Sequence, residues 1–536
     1  MLNRYIALPL LLLLSGCNPH SSTLGTNSGV VFCSESDPTT FNPQLDTSGT
    51  TADATAHQIY DRLLDFDTDT GNLMPALADS WLISDDGLVY TFQLQRNVQF
   101  HATEYFTPTR SFNANDVLFS INRWRQQEHP FHSVSGGRYP YFQSLDLADN
   151  IADVKRINGY RVEIHLHKPD SSFLANLATD FAVILSEEYA LQLLQSGNPE
   201  MIDKQPIGTG PYRFVAYRPN HFVRFESHSD YWRESVSNKH LVFDITPKSA
   251  LRLAKLITGE CDISVFPAQS ELDTIRENEE LSLLERPGLN VGFWAFNTQK
   301  PPFDNPNVRR ALAMAIDKNT LLDTVYFGSA KRATSILPPT SWAYQSSADD
   351  INYNPVQAER LLRASGIQPG FRMTLWAMPV QRAYNPNAMK MARLMQSYLA
   401  DVGVNATIVS YDWTTFRNNL QQGMHDSVLI GWSADNVDPD NFYRPLLTCS
   451  AIPSGTNRAM WCNEGYDDLI EQALLVNDND RRKQLYAQAN RMLYEEMPLM
   501  PIAHAFRYQA QRRSIENVTI NTFGGVRLGA VVKNND

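Results

Sequence analysis

The stretch Ala388-Met389-Lys390-Met391-Ala392-Arg393-Leu394-Met395-Gln396-Ser397-Tyr398-Leu399-Ala400-Asp401-Val402-Gly403-Val404-Asn405-Ala406-Thr407-Ile408-Val409-Ser410-Tyr411 changes its hydrophobic period part-way along. Met391, Ala392, Met395 and Leu399 recur at the three- and four-residue spacing that stacks side chains on one face of a helix. Gly403 stands where a helix would end in a left-handed residue, a conformation open to glycine without steric cost. Residues 405–411 follow as a strand. A helix running at once into a strand is a step of an α/β domain.

The alternation continues on either side. Asn305-Pro306 reads as an N-cap followed by proline at the first helical position, with Val308, Ala311, Leu312, Ala315 and Ile316 as the inward stripe. Ser84-Asp85-Asp86-Gly87 is a turn between two strand-like runs, the second of which puts Tyr90, Phe92 and Leu94 on one face. Gly208-Thr209-Gly210-Pro211-Tyr212 reads as a tight turn into a strand, because Pro211 removes an amide that an anion cradle would need. Two apolar runs, 288–296 and 500–506, suit either crossings between lobes or ordinary buried strands. A chain of 536 residues suggests about three domains or subdomains.

Arg4, the apolar run from Ile6 to Leu14, and Leu14-Ser15-Gly16 before Cys17 form a lipoprotein export signal. Residues 1–16 are then removed, Cys17 carries lipid, and 17–29 are a flexible lead rich in Ser, Thr, Gly and Asn. The apolar run is too short to span a bilayer, which takes ~20 residues. Without Arg4 the chain has 45 basic and 58 acidic side chains, a net of −13. That balance argues against a nucleic-acid partner, which needs a basic footprint. Four cysteines remain, and in an exported protein they point to two disulfides. They allow three pairings; nearness in the chain favours Cys449 with Cys462, leaving Cys33 with Cys261.

The sequence carries no Gly-x-Ser-x-Gly elbow, His-Glu-x-x-His or phosphate loop, so an enzyme is not expected, and neither is a cofactor. Asp435-Asn436-Val437-Asp438-Pro439-Asp440-Asn441 fails as a calcium loop: counted from Asn436, Asn441 holds the glycine position and Leu447 the glutamate position. Asp435 follows the apolar strand 427–432, where a carboxylate faces a cleft or caps a helix. His165 and His167 lack a third metal ligand and read as a solvent-facing pair. Trp376 to Arg382 reads as a strand ending at Pro379 and delivering Arg382 into a loop.

Eight collinear segments resemble the dipeptide-binding and Sap-type peptide-binding proteins of bacterial ABC importers. They are Thr40-Phe41-Asn42-Pro43-Gln44, Ser48-Gly49-Thr50, Ile59-Tyr60-Asp61-Arg62-Leu63, Phe106-Thr107-Pro108-Thr109-Arg110, Pro206 to Tyr212, Pro287 to Gly292, Trp376 to Arg382, and Gly431-Trp432 through Asn441-Phe442.

The resemblance implies an α/β, two-lobed periplasmic binding protein of the large type, with an extra subdomain and a ligand cleft between lobes. Lobe I would comprise 30–287 plus 506–536 and lobe II 288–505, with the two apolar runs as the crossings. It also supports the disulfide pairs above. By the family's pattern Asp435 takes a peptide's α-ammonium and Arg382 its α-carboxylate, while Trp432, Ser433, Tyr139, Ser48, Gly49 and Thr50 line the cleft. The expected role is capture of short peptides for an ABC permease and its ATPase by a monomer on the periplasmic side of the envelope. Alternatives are haem or antimicrobial peptides as cargo, or an exported hydrolase. Phe41, Pro338 to Trp342 and Arg444 to Leu447 look closer to the Sap type, and the lipid signal departs from relatives with plain export signals.

Overall fold

Strand runs dense in Val, Ile and Phe assemble into one twelve-stranded sheet. In a computed structural model that describes residues 29–67, 70–346 and 350–534, its main path runs Val404–Val409, Phe371–Ala377, Ser427–Ser433, Asn290–Phe296, Leu499–Arg512, Ile263–Val265, Gly29–Ser34, His240–Ile245, Phe222–Ser227 and Tyr212–Arg218. The export signal, Cys17 and all of the lead but Gly29 lie outside the described residues.

The 14-residue strand Leu499–Arg512 belongs to both halves of this sheet. Its first part pairs with Asn290–Phe296 and Ala330–Arg332, and its last part with Leu281–Pro287 and Ile263–Val265. Where the chain crosses, the buried Asn290 side chain donates to the Ala505 carbonyl (2.9 Å) and accepts from the Ala505 amide (2.9 Å). His504 Nδ1 donates to the Asn290 carbonyl (2.8 Å). A Cβ on Gly288 would sit 2.0 Å from Asn290 Nδ2, so only glycine fits beside the clamp. Both apolar runs noted in the sequence therefore carry the chain between the halves.

The helix forms as its period predicts, over Ala388–Asp401, with Asn387 accepting from the Lys390 amide and Ala388, Met391, Ala392, Met395 and Leu399 buried. Gly403 is left-handed (φ +80°). The strand after it is Val404–Val409, ending two residues sooner than expected. There Ser410 Oγ donates to the Ala377 carbonyl (2.8 Å), and Asp412 caps the helix Trp413–Gln421. Asn305 caps Pro306–Met314 as read. Tyr90, Phe92 and Leu94 are buried in a separate four-stranded sheet of Ala78–Ile83, Val89–Leu94, Arg161–Leu166 and Ile151–Asn158. His165 meets Glu163 there (3.2 Å), at a partly exposed position. Both disulfides, Cys33–Cys261 and Cys449–Cys462, are closed.

The turn at Gly208 packs backbone against backbone: the Gly210 amide donates to the Ile59 carbonyl (2.9 Å) and the Tyr212 amide to that of Gln58 (2.8 Å). A Cβ on Gly208 would lie 2.0 Å from Ile59 O, whereas one on Gly159 meets nothing within 4 Å. Gly208→Ala is therefore expected to lower stability by about 1–3 kcal/mol or more and Gly159→Ala to leave it near wild type. Thermal melts of the two variants check this; equal melting temperatures would contradict the close packing.

Candidate functional site

The two halves enclose a cavity of about 140 Å³, which adjoins a larger chamber of about 720 Å³. Both halves build its walls. From the first come Ser48, which N-caps Gly49–Thr55, together with Asp53 and Asp180. From the second come the end of Ser427–Ser433, the loop after Phe371–Ala377, and the helix bearing Trp413 and Arg417.

One end is acidic. Asn441 Oδ1 accepts from the Asp435 amide (2.9 Å) and from Trp432 Nε1 (3.1 Å), while Asn441 Nδ2 donates to Tyr141 Oη (3.2 Å). That network fixes Trp432 and Asp435 and leaves Asp435 Oδ2 buried without a hydrogen-bond partner. Burial, reinforced by the charge of Asp180, pushes the Asp435 carboxyl well above the usual carboxylate range. Asp180 also lies under burial, which would raise it, but His57 Nε2 (2.6 Å) and the Gly525 amide (2.6 Å) hold it below that range. Asp53 is pushed up to about 7, by burial first and then by Glu35.

A second group of lining residues is basic. Arg382 is buried, pairs through Nη1 with Glu35 and stacks over Trp413 (5.3 Å); its Nη2 is buried without a partner. Backbone bonds between Arg382 and Asn385 (3.1 Å both ways) set the loop. Arg417 pairs with Asp46 and also lies over Trp413 (5.9 Å). Tyr384 packs on the strand because residue 431 is glycine: a Cβ there would sit 2.4 Å from its ring.

Of the residues expected at the site, Asp435, Arg382, Trp432, Ser433, Ser48 and Gly49 line the cavity. Thr50 is not part of its wall; it is buried with its hydroxyl 3.4 Å from that of Ser48. Tyr139 lies elsewhere. It is fully buried, donates to the His132 carbonyl (2.9 Å) and accepts from Arg123 Nε (3.3 Å), beside the Arg123–Asp203 ion pair. The remaining acids of the 435–441 cluster are structural: Asp438 pairs with Arg482, and Asp440 with Arg444. Sequence reasoning missed Glu35, Asp53, Asp180 and Trp413, whose places depend on contacts between distant segments.

Residues 72–454 match the model of the bacterial extracellular solute-binding proteins, family 5. The chain belongs to this family. It is 40% identical over 495 residues to the dipeptide-binding protein of Escherichia coli K12, covering 92% of each chain. It is 42% identical over 505 residues to the peptide transport periplasmic protein SapA of Salmonella typhimurium LT2, covering 94% of this chain and 92% of that one. The crystal structure of a dipeptide-binding protein from Pseudoalteromonas sp. SM9913, in complex with Met-Leu, matches with a TM-score of 0.93 at 46% identity, over 94% of this chain and 100% of that one. The family member described here is thus a two-lobed α/β protein, as the eight segments implied.

A buried carboxyl with one oxygen left without a partner weakens the protein. Between the ordinary aspartate value and its raised value, folded Asp435 keeps a proton that the unfolded chain has lost, so stability falls as pH rises through that window. Asp435→Asn removes this dependence. Ligand-free Asp435→Asn is expected to melt above wild type at pH 7.5 and to converge with it toward pH 4, and melting curves across that range are the check; a pH-independent difference would contradict the desolvated carboxyl.

Proposed function

We propose that this protein captures short peptides outside the cytoplasmic membrane and delivers them to the permease of an ABC importer, whose ATPase does the work. The observation that carries this is the cleft's polarity: an unpartnered Asp435 oxygen at one end and Arg382, with a free Nη2, at the other. A zwitterionic peptide completes both. Fixing the two termini selects for length, since each extended residue adds ~3.3–3.6 Å, and side chains between them are tolerated. Its role is binding without turnover. Residues 30–287 with 506–536 form lobe I and 288–505 form lobe II, which close over the ligand as a monomer and present the closed surface to the permease. Asp435 and Arg382 bind the termini, and Trp432, Ser433, Ser48 and Gly49 flank them. The names of the relatives, which include dipeptide-binding and peptide transport proteins, support this reading.

Calorimetry with short peptides tests it. Asp435→Ala leaves the ligand's ammonium buried without its partner, an expected loss of ~2–5 kcal/mol, or roughly 30-fold to several thousand-fold in Kd. Arg382→Lys should restore little of what Arg382→Ala loses, because a point charge does not replace the planar fork. N-acetylated peptides should bind wild type poorly and Asp435→Ala no worse than free peptides do. Equal binding of acetylated and free peptides to wild type overturns the reading.

Cys17 is the lipid anchor in this proposal and holds the protein at the periplasmic side of the envelope. Cells fed labelled fatty acid should label the wild-type protein and leave Cys17→Ser unlabelled and released from membranes; labelling of the variant refutes the anchor.

A further inference from the structure

The arginines around the cleft differ in one respect. Of the cavity-lining arginines, Arg382 has Glu35 and Arg417 has Asp46 as ion-pair partners, while Arg507 lies in the field of Asp53 and Asp180 and donates to the Gly524 carbonyl (3.1 Å). Arg458 has no ion pair among the described residues, and its Nη1 is buried without a hydrogen-bond partner. Burial, then the neighbouring charge of Arg417, pushes its guanidinium down to about 9. The position is nonetheless built. Arg458 lies in the loop closed by Cys449–Cys462, where Asn457 Nδ2 donates to the carbonyls of Thr448 (3.1 Å) and Trp461 (2.7 Å). Its own carbonyl accepts from His425 Nε2 (2.8 Å). Desolvating a cation and giving it no counterion is costly unless an anion arrives to complete it.

Its place tells what arrives. Arg458 lines both the small cavity and the 720 Å³ chamber, and Thr47, Trp413, Arg417 and Thr456 share that boundary with it. It therefore stands beyond Arg382 on the basic side, where the ligand continues into open space. We infer that Arg458 is a second carboxylate-binding group of the cleft, taking a ligand carboxylate in addition to the one met by Arg382 or one residue further along. This rests on the peptide-binding reading. Two sources fit the same chemistry: the side chain of an acidic second residue, or the main-chain carboxylate of a tripeptide, which reaches ~3.3–3.6 Å further.

Calorimetry with wild type, Arg458→Gln and Arg458→Lys decides it, using Ala-Glu against Ala-Gln and Ala-Ala-Ala against its C-terminal amide. Wild type should prefer the charged member of at least one pair by roughly ten- to a hundred-fold, the range for a hydrogen bond between charged groups. That ratio should collapse toward one in Arg458→Gln and return in part in Arg458→Lys, a comparison independent of any general change in affinity. A preference in the first pair identifies the side-chain carboxylate, and one confined to the second pair identifies the tripeptide terminus. No preference in either pair, or ratios unchanged in Arg458→Gln, overturns the assignment while leaving peptide binding intact. If wild type binds none of the four peptides, the peptide-binding reading itself fails, and this assignment with it.

Discussion

Both halves of the great sheet hang on one strand, Leu499–Arg512, and on the two-way hydrogen bond between Asn290 and Ala505 that fastens the crossing beside it. An asparagine there satisfies one backbone donor and one backbone acceptor in a single buried side chain, which no apolar residue can do. Gly288 must then be bare, because any Cβ would displace that amide. The crossing is thus rigid in its hydrogen bonding yet only two connections wide. Asp435 beside Asp180 and Arg382 beside Glu35 meet across the cleft, which is bridged as well by Asn441 with Tyr141 and by Arg444 with Asp170.

Buried charge is paired in the core as well as around the cleft. In the core, Arg123 finds Asp203, Arg482 finds Asp438 and Arg444 finds Asp440, each within a hydrogen-bonded pair. Breaking such pairs would leave a desolvated charge. Unpartnered buried atoms occur in both places, at Asp440 Oδ1 and Arg482 Nε within those pairs and around the cavity at Asp435 Oδ2, Arg382 Nη2, Glu35 Oε2 and Arg458 Nη1. A binding protein that satisfied these groups internally would be more stable and would have less to offer a ligand.

Local elements were legible because they depend on neighbours in sequence. The 388–403 helix and its glycine stop follow from spacing alone, and the cap at Asn305 from a side chain that reaches only two residues on. The strand after Gly403 was read two residues too long because its end is set by Ala377, a tertiary partner. The same limit governs the site. Asp435 and Arg382 came from motif resemblance, whereas Glu35 meets Arg382 across 347 residues and leaves no trace in local pattern. Tyr139 shows the converse error: its neighbours Arg138 and Pro140 line the outer chamber, but its own ring turns inward to Arg123, and a motif cannot say which side of the backbone a side chain takes.

The two ends of the cleft are not electrically equivalent, and this bears on how it discriminates. Arg382 keeps Glu35 on Nη1, so an arriving carboxylate completes only Nη2 of a cation that is already neutralised. Asp435 has no ion-pair partner among the described residues, and burial together with the like charge of Asp180 raises its carboxyl well above the usual range. On the peptide-binding proposal, an arriving ammonium gives the unpartnered Asp435 oxygen a donor and offsets the neighbouring charge of Asp180. On that proposal the amine end sets the register of the ligand and the carboxylate end measures where the chain stops, with length free to vary on the side where Arg417 and Arg458 border the larger chamber.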